Sequence, residues 1–223
     1  MKLNIAIDGP SASGKSTIAK VLAKRLNYTH LDTGSMYRAC TYKALKYNIN
    51  TNSEDDLVKM VNSSHFAFDD LGHIILDGKD ISSKIRSKEI DLLTSTIAQY
   101  PRLRESLVLI QQDIAKNKGY ILDGRDIGSV VLPDAEIKIF QTASIESRAK
   151  RRLNEYKSKG IEIDYQTIYN EIELRDFQDQ SREHSPLVRT KDAYLLDTSN
   201  LSIEESVDIV YKLVNQKLNE RSD

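Results

Sequence analysis

Gly9-Pro10-Ser11-Ala12-Ser13-Gly14-Lys15-Ser16 is a complete G-x-x-x-x-G-K-[ST] run, set directly after the apolar stretch Leu3, Ile5, Ala6, Ile7 and directly before a helical pattern of Ile18, Val21, Leu22 and Leu26. Strand, glycine-rich turn and helix in that order form a phosphate loop. Glycines let successive backbone N–H groups face one anion, and the positive end of the following helix points at it. Lys15 reaches the terminal phosphates, while Ser16 offers a hydroxyl to Mg²⁺. Gly9, Pro10, Ser11, Ala12, Ser13, Gly14, Lys15, Ser16 and Thr17 are therefore the expected nucleoside triphosphate site.

Working outward, four more short apolar runs read as buried strands: Tyr28 to Leu31, Tyr120 to Leu122, Ile137 to Phe140 and Ala193 to Leu196. Helical patterns lie between most of them, so the chain reads as α/β with a parallel sheet covered on both faces. Several strands end in polar residues, at Asp8, Asp32-Thr33, Asp123-Gly124-Arg125-Asp126 and Asp197-Thr198. Open α/β sheets bind ligands along that carboxyl edge. Residues 63 to 90 break the alternation: Phe66, Phe68, Ile74, Ile75, Leu76 and Ile81 are interleaved with the turn signals Asp70-Leu71-Gly72 and Asp77-Gly78. Short antiparallel strands are expected there, serving as a lid, a substrate subdomain or an oligomer contact. Ser202-Ile203-Glu204-Glu205 opens a last helix with a capping box, its buried face being Val207, Val210, Tyr211, Val214 and Leu218.

Composition narrows the partners. The 223 residues carry 32 Lys+Arg against 33 Asp+Glu, a net charge of −1, so no global field draws nucleic acid or an anionic membrane. No run approaches the ~20 apolar residues of a membrane span, and Met1-Lys2 leads into a strand rather than a signal peptide. A lone Cys40 excludes an internal disulfide. A cytoplasmic, single-domain protein over residues 1–223 is expected, with Cys40 as a small core residue. His30, His65, His73 and His184 share no metal-ligand spacing and read as structural or surface residues.

Three further patterns carry chemistry. Gly119-Tyr120-Ile121-Leu122-Asp123 is an apolar strand ending in an acid that holds Mg²⁺ directly or through water, or else opens an ordinary Asp turn. In a helix expected from Gln166 to Arg182, Ile168 and Ile172 begin a stripe continued by Arg175, Asp179 and Arg182. Either those charges line a polar cavity or that end of the helix is solvated. Arg148, Lys150, Arg151 and Arg152 share a helix edged by Ile145, Ala149, Leu153 and Tyr156, followed by the basic run Lys157-Ser158-Lys159-Gly160. That is a lid over triphosphate oxygens or a solvated charged face.

Assembled, the chain resembles the bacterial cytidylate kinases, nucleoside monophosphate kinases acting on CMP and dCMP. The resemblance rests on Asp8-Gly9-Pro10-Ser11 through Lys15-Ser16, Leu31-Asp32-Thr33-Gly34 with Tyr37-Arg38, Pro101-Arg102-Leu103-Arg104, Asp123-Gly124-Arg125-Asp126, Lys138-Ile139-Phe140, and Arg175-Asp176 with Asp179 and Arg182. It implies a P-loop NTPase-type three-layer fold with a five-stranded parallel sheet, a monophosphate-binding insertion at 63–90 and a helical lid at about 148–165. It also implies ATP as donor with Mg²⁺, CMP or dCMP as acceptor, and a monomer. By motif, Ser95, Arg104 and Asp126 would read the cytosine ring, Arg175 and Asp179 the pentose hydroxyls, and Arg38, Arg125 and Arg182 the acceptor phosphate. Thr33 stands where the family often has Ser, and Ser11-Ala12-Ser13 where Ser-Gly-Ala is commoner. Lys15, Arg125, Arg148, Arg151, Arg152 and Arg182 would offset charge on the transferred group, with Ser16 and Asp123 at the metal. Rival readings are a UMP, adenylate or shikimate kinase on the same core, or a GTPase-like switch, which needs an Asn-Lys-x-Asp motif that the sequence lacks.

Overall fold

The first strand, β1 (Ile5–Asp8), is buried along its whole length and pairs in parallel with β6 (Tyr120–Gly124) on one side and β7 (Ile137–Thr142) on the other. With β2 (Thr29–Asp32) beside β6 and β8 (Tyr194–Asp197) beside β7, the sheet order is β2-β6-β1-β7-β8. A computed structural model describes residues 2–69, 71–158 and 160–220. The expected positions Met1, Asp70 and Lys159 lie outside the described residues.

Side-chain alternation divides the sheet between two cores. Ile5, Ile7, Ile121 and Ile139 point to the face covered by α1 (Lys15–Leu26) and α8 (Ile203–Asn219), meeting Ile18, Leu22, Val207, Val210 and Val214. Ala6, Leu31 and Leu122 point to the other face. There α2 (Thr33–Lys46), α3 (Glu54–Asn62), α4 (Lys88–Ile97) and α5 (Pro101–Ala115) bring Met36, Cys40, Leu57, Ile97, Leu103 and Leu107. Cys40 is wholly buried in this core, and burial pushes its thiol up to about 12. The capping box forms as read, Ser202 and Glu205 each satisfying the other's backbone N–H.

Strand boundaries shift by a residue or two. Leu3 lies before the paired strand, yet its carbonyl accepts from Gly119 N–H at 2.9 Å, which pins it. All five strands run past the apolar residues to include the polar ends Asp8, Asp32, Gly124, Thr142 and Asp197, because backbone pairing continues to the edge where ligands bind. The helix expected from Gln166 to Arg182 is α7 (Tyr165–Gln180). Asp164 caps its start by accepting from Thr167 N–H at 3.0 Å, and Arg182 follows the C-cap Ser181.

Within 63–90, β3 (Phe66–Phe68), β4 (Ile74–Leu76) and β5 (Lys79–Asp80) form a separate antiparallel sheet. Asp77 and Gly78 both take positive φ, 50° and 75°, as a two-residue type I′ hairpin requires. The basic segment is α6 (Ile145–Ser158), packed on α7 through Ala149, Ile168 and Ile172. No helix among the described residues is long and apolar enough to cross a membrane.

Candidate active site

The phosphate loop is built by close backbone approach. A Cβ on Gly9 would sit 2.1 Å from the carbonyl oxygen of Gln141, so only glycine fits. Gly14 takes φ 91° and leaves the first turn of α1 without a side-chain cap, its N–H groups open to an anion. The amide of Gln141 donates to the Ser13 carbonyl at 2.6 Å, and Lys15 Nζ donates to the Pro10 carbonyl at 3.1 Å. Gly9 and Pro10 shape the loop from behind, whereas Ser11 and Ala12 line a cavity of about 240 Å³ and Ala12 to Thr17 line a second of about 630 Å³.

From Ser16, which lines both cavities, a relay of short contacts runs inward through Asp123 to His30. The Ser16 hydroxyl donates to Asp123 Oδ2 at 2.6 Å, and His30 Nε2 lies 2.6 Å from Asp123 Oδ1. Burial works against the Asp123 charge, but His30, Lys15 and Ser16 together hold its carboxyl below the usual carboxylate range. His30 lines neither cavity; it is a buried structural residue, as expected, that acts on the site through Asp123. A histidine two residues before the terminal Asp32, in the short strand Thr29-His30-Leu31-Asp32, was the available signal. Ser16 and Asp123 offer adjacent oxygens, one of them anionic, which suits a hard cation that takes its remaining ligands from water and phosphate. Among the described residues no cluster of three or more His, Cys, Asp or Glu forms a metal cage.

Asp8 closes the other side of the loop. It is buried and accepts from Ile127 N–H and Gly128 N–H, both at 2.7 Å, tying β1 to a single π-helical turn at Ile127–Val131. Burial pushes its carboxyl up to about 6; Asp126 adds to the rise, while the two N–H donors and Lys15 oppose it. A folded value above the ordinary 3.8 means that folding favours the protonated acid. The stability it contributes is full below about 4 and is lost as pH rises through about 6, on the order of 3 kcal/mol. In urea unfolding, the stability of the wild type relative to Asp8→Asn is expected to increase between pH 7 and pH 4.5. A pH-independent difference would contradict this.

The smaller cavity gathers most of the residues singled out by motif: Thr33, Arg38, Ser95, Arg104, Arg125, Asp126, Arg175, Asp179 and Arg182, with Lys15 and Ser16 at its floor. The stripe on α7 thus lines a polar cavity. Asp179, 1% exposed, receives Arg125 Nε at 2.5 Å and pairs with Arg182. Burial opposes its charge, and the two guanidiniums hold its carboxyl down. The Arg175 side chain makes no hydrogen bond or ion pair among the described residues; burial and neighbouring Arg125 lower it to about 10, against the pull of Asp179. Arg104 pairs with Asp126, both buried, and lies 5.4 Å from the Tyr37 ring centroid. Arg38 donates to Asp91 Oδ1 at 2.8 Å, and the Ser95 hydroxyl to the Asp91 carbonyl at 3.3 Å. Thr33 keeps a hydroxyl, donated to the Asp123 carbonyl at 2.8 Å.

The basic face of α6 divides. Arg152 lines both cavities and donates to Tyr156 Oη at 3.1 Å; Arg151 lines the larger one and donates to the Ser13 carbonyl at 3.1 Å. Arg148 lines neither. It is buried, bonded to the Ala143 carbonyl at 2.9 Å, the Ser11 carbonyl at 3.2 Å and Asp176 at 2.6 Å. The expectation of a free phosphate-facing Arg148 is corrected: a guanidinium buried this deeply needs partners, and Asp176 of α7 supplies the charge. Arg86, which the sequence reading passed over, lines both cavities.

Comparison with known proteins agrees with this geometry. A family profile described as cytidylate kinase matches residues 5–216. A protein named cytidylate kinase from Caldicellulosiruptor saccharolyticus is 46% identical, covering 97% of this chain and 99% of its own, and one from Enterococcus faecalis is 45% identical, covering 97% of each. An uncharacterized protein from Eubacterium ventriosum, solved by crystallography, shares the fold with a TM-score of 0.51 at 12% identity over 96% of this chain and 99% of its own. With its phosphate loop facing a cavity of paired arginines and aspartates, and with near-complete coverage by these relatives, the chain belongs to the cytidylate kinase family.

Proposed function

We propose that the protein transfers the γ-phosphoryl group of ATP to CMP and dCMP. The observation that carries this reading is one cavity lined both by Lys15 and Ser16 and by the buried Arg104–Asp126 pair. A carboxylate accepts from the 4-amino group of cytosine and repels the 4-carbonyl of uracil, so Asp126 favours cytosine. Ser95 and Arg104 complete the ring contacts, Arg175 and Asp179 hold the pentose, and Arg38, Arg125 and Arg182 hold the acceptor phosphate. The donor phosphates lie on Gly9 to Thr17.

An oxygen of the CMP phosphate attacks Pγ as the bond from Pγ to the β,γ-bridging oxygen breaks, and the bridging oxygen leaves with its electron pair as ADP. The nucleophile is already anionic, so no general base is needed; positioning and charge neutralisation supply the catalysis. Lys15, Arg125, Arg151, Arg152 and Arg182 neutralise the reacting phosphates, while Arg148 acts indirectly by fixing α6 to the phosphate loop and to α7. Bound at Ser16 and Asp123, Mg²⁺ would neutralise charge on the β- and γ-phosphates. Segments 63–90 and about 148–165 close over acceptor and donor as parts of a single kinase domain. The same reading makes the enzyme a cytoplasmic monomer. Coupled ADP-release assays with CMP, dCMP, UMP and AMP are expected to show turnover with the first two; activity confined to UMP or AMP, or hydrolysis without acceptor, would overturn it.

A further inference from the structure

We propose that Arg86 is a catalytic arginine, brought by the 63–90 segment to the phosphoryl group in transit between donor and acceptor. The inference rests on the kinase reading above. Five residues line both cavities: Ala12, Lys15 and Ser16 of the phosphate loop, Arg152 of α6, and Arg86. Any group passing from one nucleotide to the other crosses the wall that these five share. Arg86 is the contribution of the antiparallel insertion to that wall.

Its anchoring differs from that of its neighbours. Arg125 and Arg182 are tied to the buried Asp179, Arg104 to Asp126, and Arg151 to the Ser13 carbonyl. Arg86 has a side chain 54% exposed and, among the described residues, one pairing, to Asp32 Oδ2 at 3.3 Å. Asp32 is 16% exposed, but with the guanidinium itself more than half in water and the contact a long one, the pair contributes about 0–1 kcal/mol and gives way readily to a triphosphate. Asp32 is not orphaned by the exchange, since it also accepts from Ser35 N–H at 3.2 Å as the N-cap of α2. The backbone on either side is fixed, Ile85 being wholly buried and Ser87 capping α4 through Ile90 N–H at 3.3 Å. A loosely held guanidinium on an anchored backbone can swing to the reaction centre without the insertion unfolding.

The step needs no proton from Arg86. As the acceptor oxygen bonds to Pγ and the bridging oxygen departs with its electrons, negative charge is spread over the equatorial oxygens, and the guanidinium donates hydrogen bonds to them. A residue that only positioned the insertion would instead act on CMP binding or on thermal stability.

The test compares wild type, Arg86→Ala and Arg86→Lys for kcat, for KM with ATP and with CMP, and for Tm, and adds guanidinium ion to Arg86→Ala. Expected are a kcat loss of about 100-fold or more in Arg86→Ala, KM values within about threefold, an unchanged Tm, incomplete recovery by Arg86→Lys, and a kcat gain of roughly tenfold on adding guanidinium. Retained kcat, a loss confined to the KM for CMP, or a loss that guanidinium leaves untouched would overturn the proposal. A wild type inactive on CMP would remove the kinase reading and this inference together; an active wild type with a fully active Arg86→Ala removes this inference alone.

Discussion

Lys15→Ala is expected to lower kcat by about a thousandfold or more without unfolding the protein. The two substrates bring several negative charges to one point, and Lys15 is the phosphate loop's own cation lining both cavities. In the free protein that ammonium is held at a cost: burial and Arg125 push it down to about 7, against the pull of Asp123. Arriving phosphates supply the missing counter-charge, and that differential interaction is what the alanine forfeits. Since the buried cation costs stability in the free protein, the variant should melt no lower than wild type, and Lys15→Met, which keeps most of the stem, should behave alike. Steady-state kinetics with thermal melts of both variants check this. A near-normal kcat in Lys15→Ala would sink the proposed mechanism.

The second large effect is expected at Asp126. Its pairing with Arg104 is almost wholly removed from water, the side chains being 9% and 6% exposed. Taking away one partner leaves an uncompensated buried guanidinium, at about 3–5 kcal/mol. For a chain of this length that lowers Tm by roughly 10 °C. Asp126→Ala should therefore be markedly destabilised, whereas Asp126→Asn, which keeps the shape and can donate to a 4-carbonyl, should lose selectivity for CMP over UMP by at least about tenfold. The double variant Asp126→Ala, Arg104→Met should recover part of the lost stability, because no buried charge is then left alone. Additive losses in that cycle, or unchanged preference in Asp126→Asn, would contradict the assignment.

What could be read in advance was whatever the chain writes locally. The phosphate loop is one contiguous segment whose neighbours announce strand and helix, and Asp32, Asp123 and Asp126 follow apolar runs that could hardly be anything but buried strands. The Arg175–Asp179–Arg182 stripe was legible as a pattern, although its destination was open, because periodicity gives a face and not what the face meets. Arg148 shows the limit. Its spacing matches Arg151 and Arg152, yet it turns inward because Asp176, on another helix, lies 2.6 Å away. His30 and Arg86 were missed for the same reason, their partners Asp123 and Asp32 lying 93 and 54 positions away in the chain.

The placement of β1 at the centre of the sheet has a consequence for how the molecule is made. Its partner residues Ile121 and Ile137 are synthesised 116 and 132 positions after Ile5. At ribosomal rates of about 5–20 residues per second, the strand that carries the phosphate loop waits roughly 7–26 s before both of its neighbours exist. Until β6 is made the apolar run Leu3 to Ile7 has neither of its neighbouring strands to join, and a chain arrested before residue 137 would contain every residue of the loop but lack β7, whose Gln141 supports the loop from behind. The newborn polypeptide therefore carries an unpaired apolar segment, open to aggregation, at the place on which its chemistry later depends.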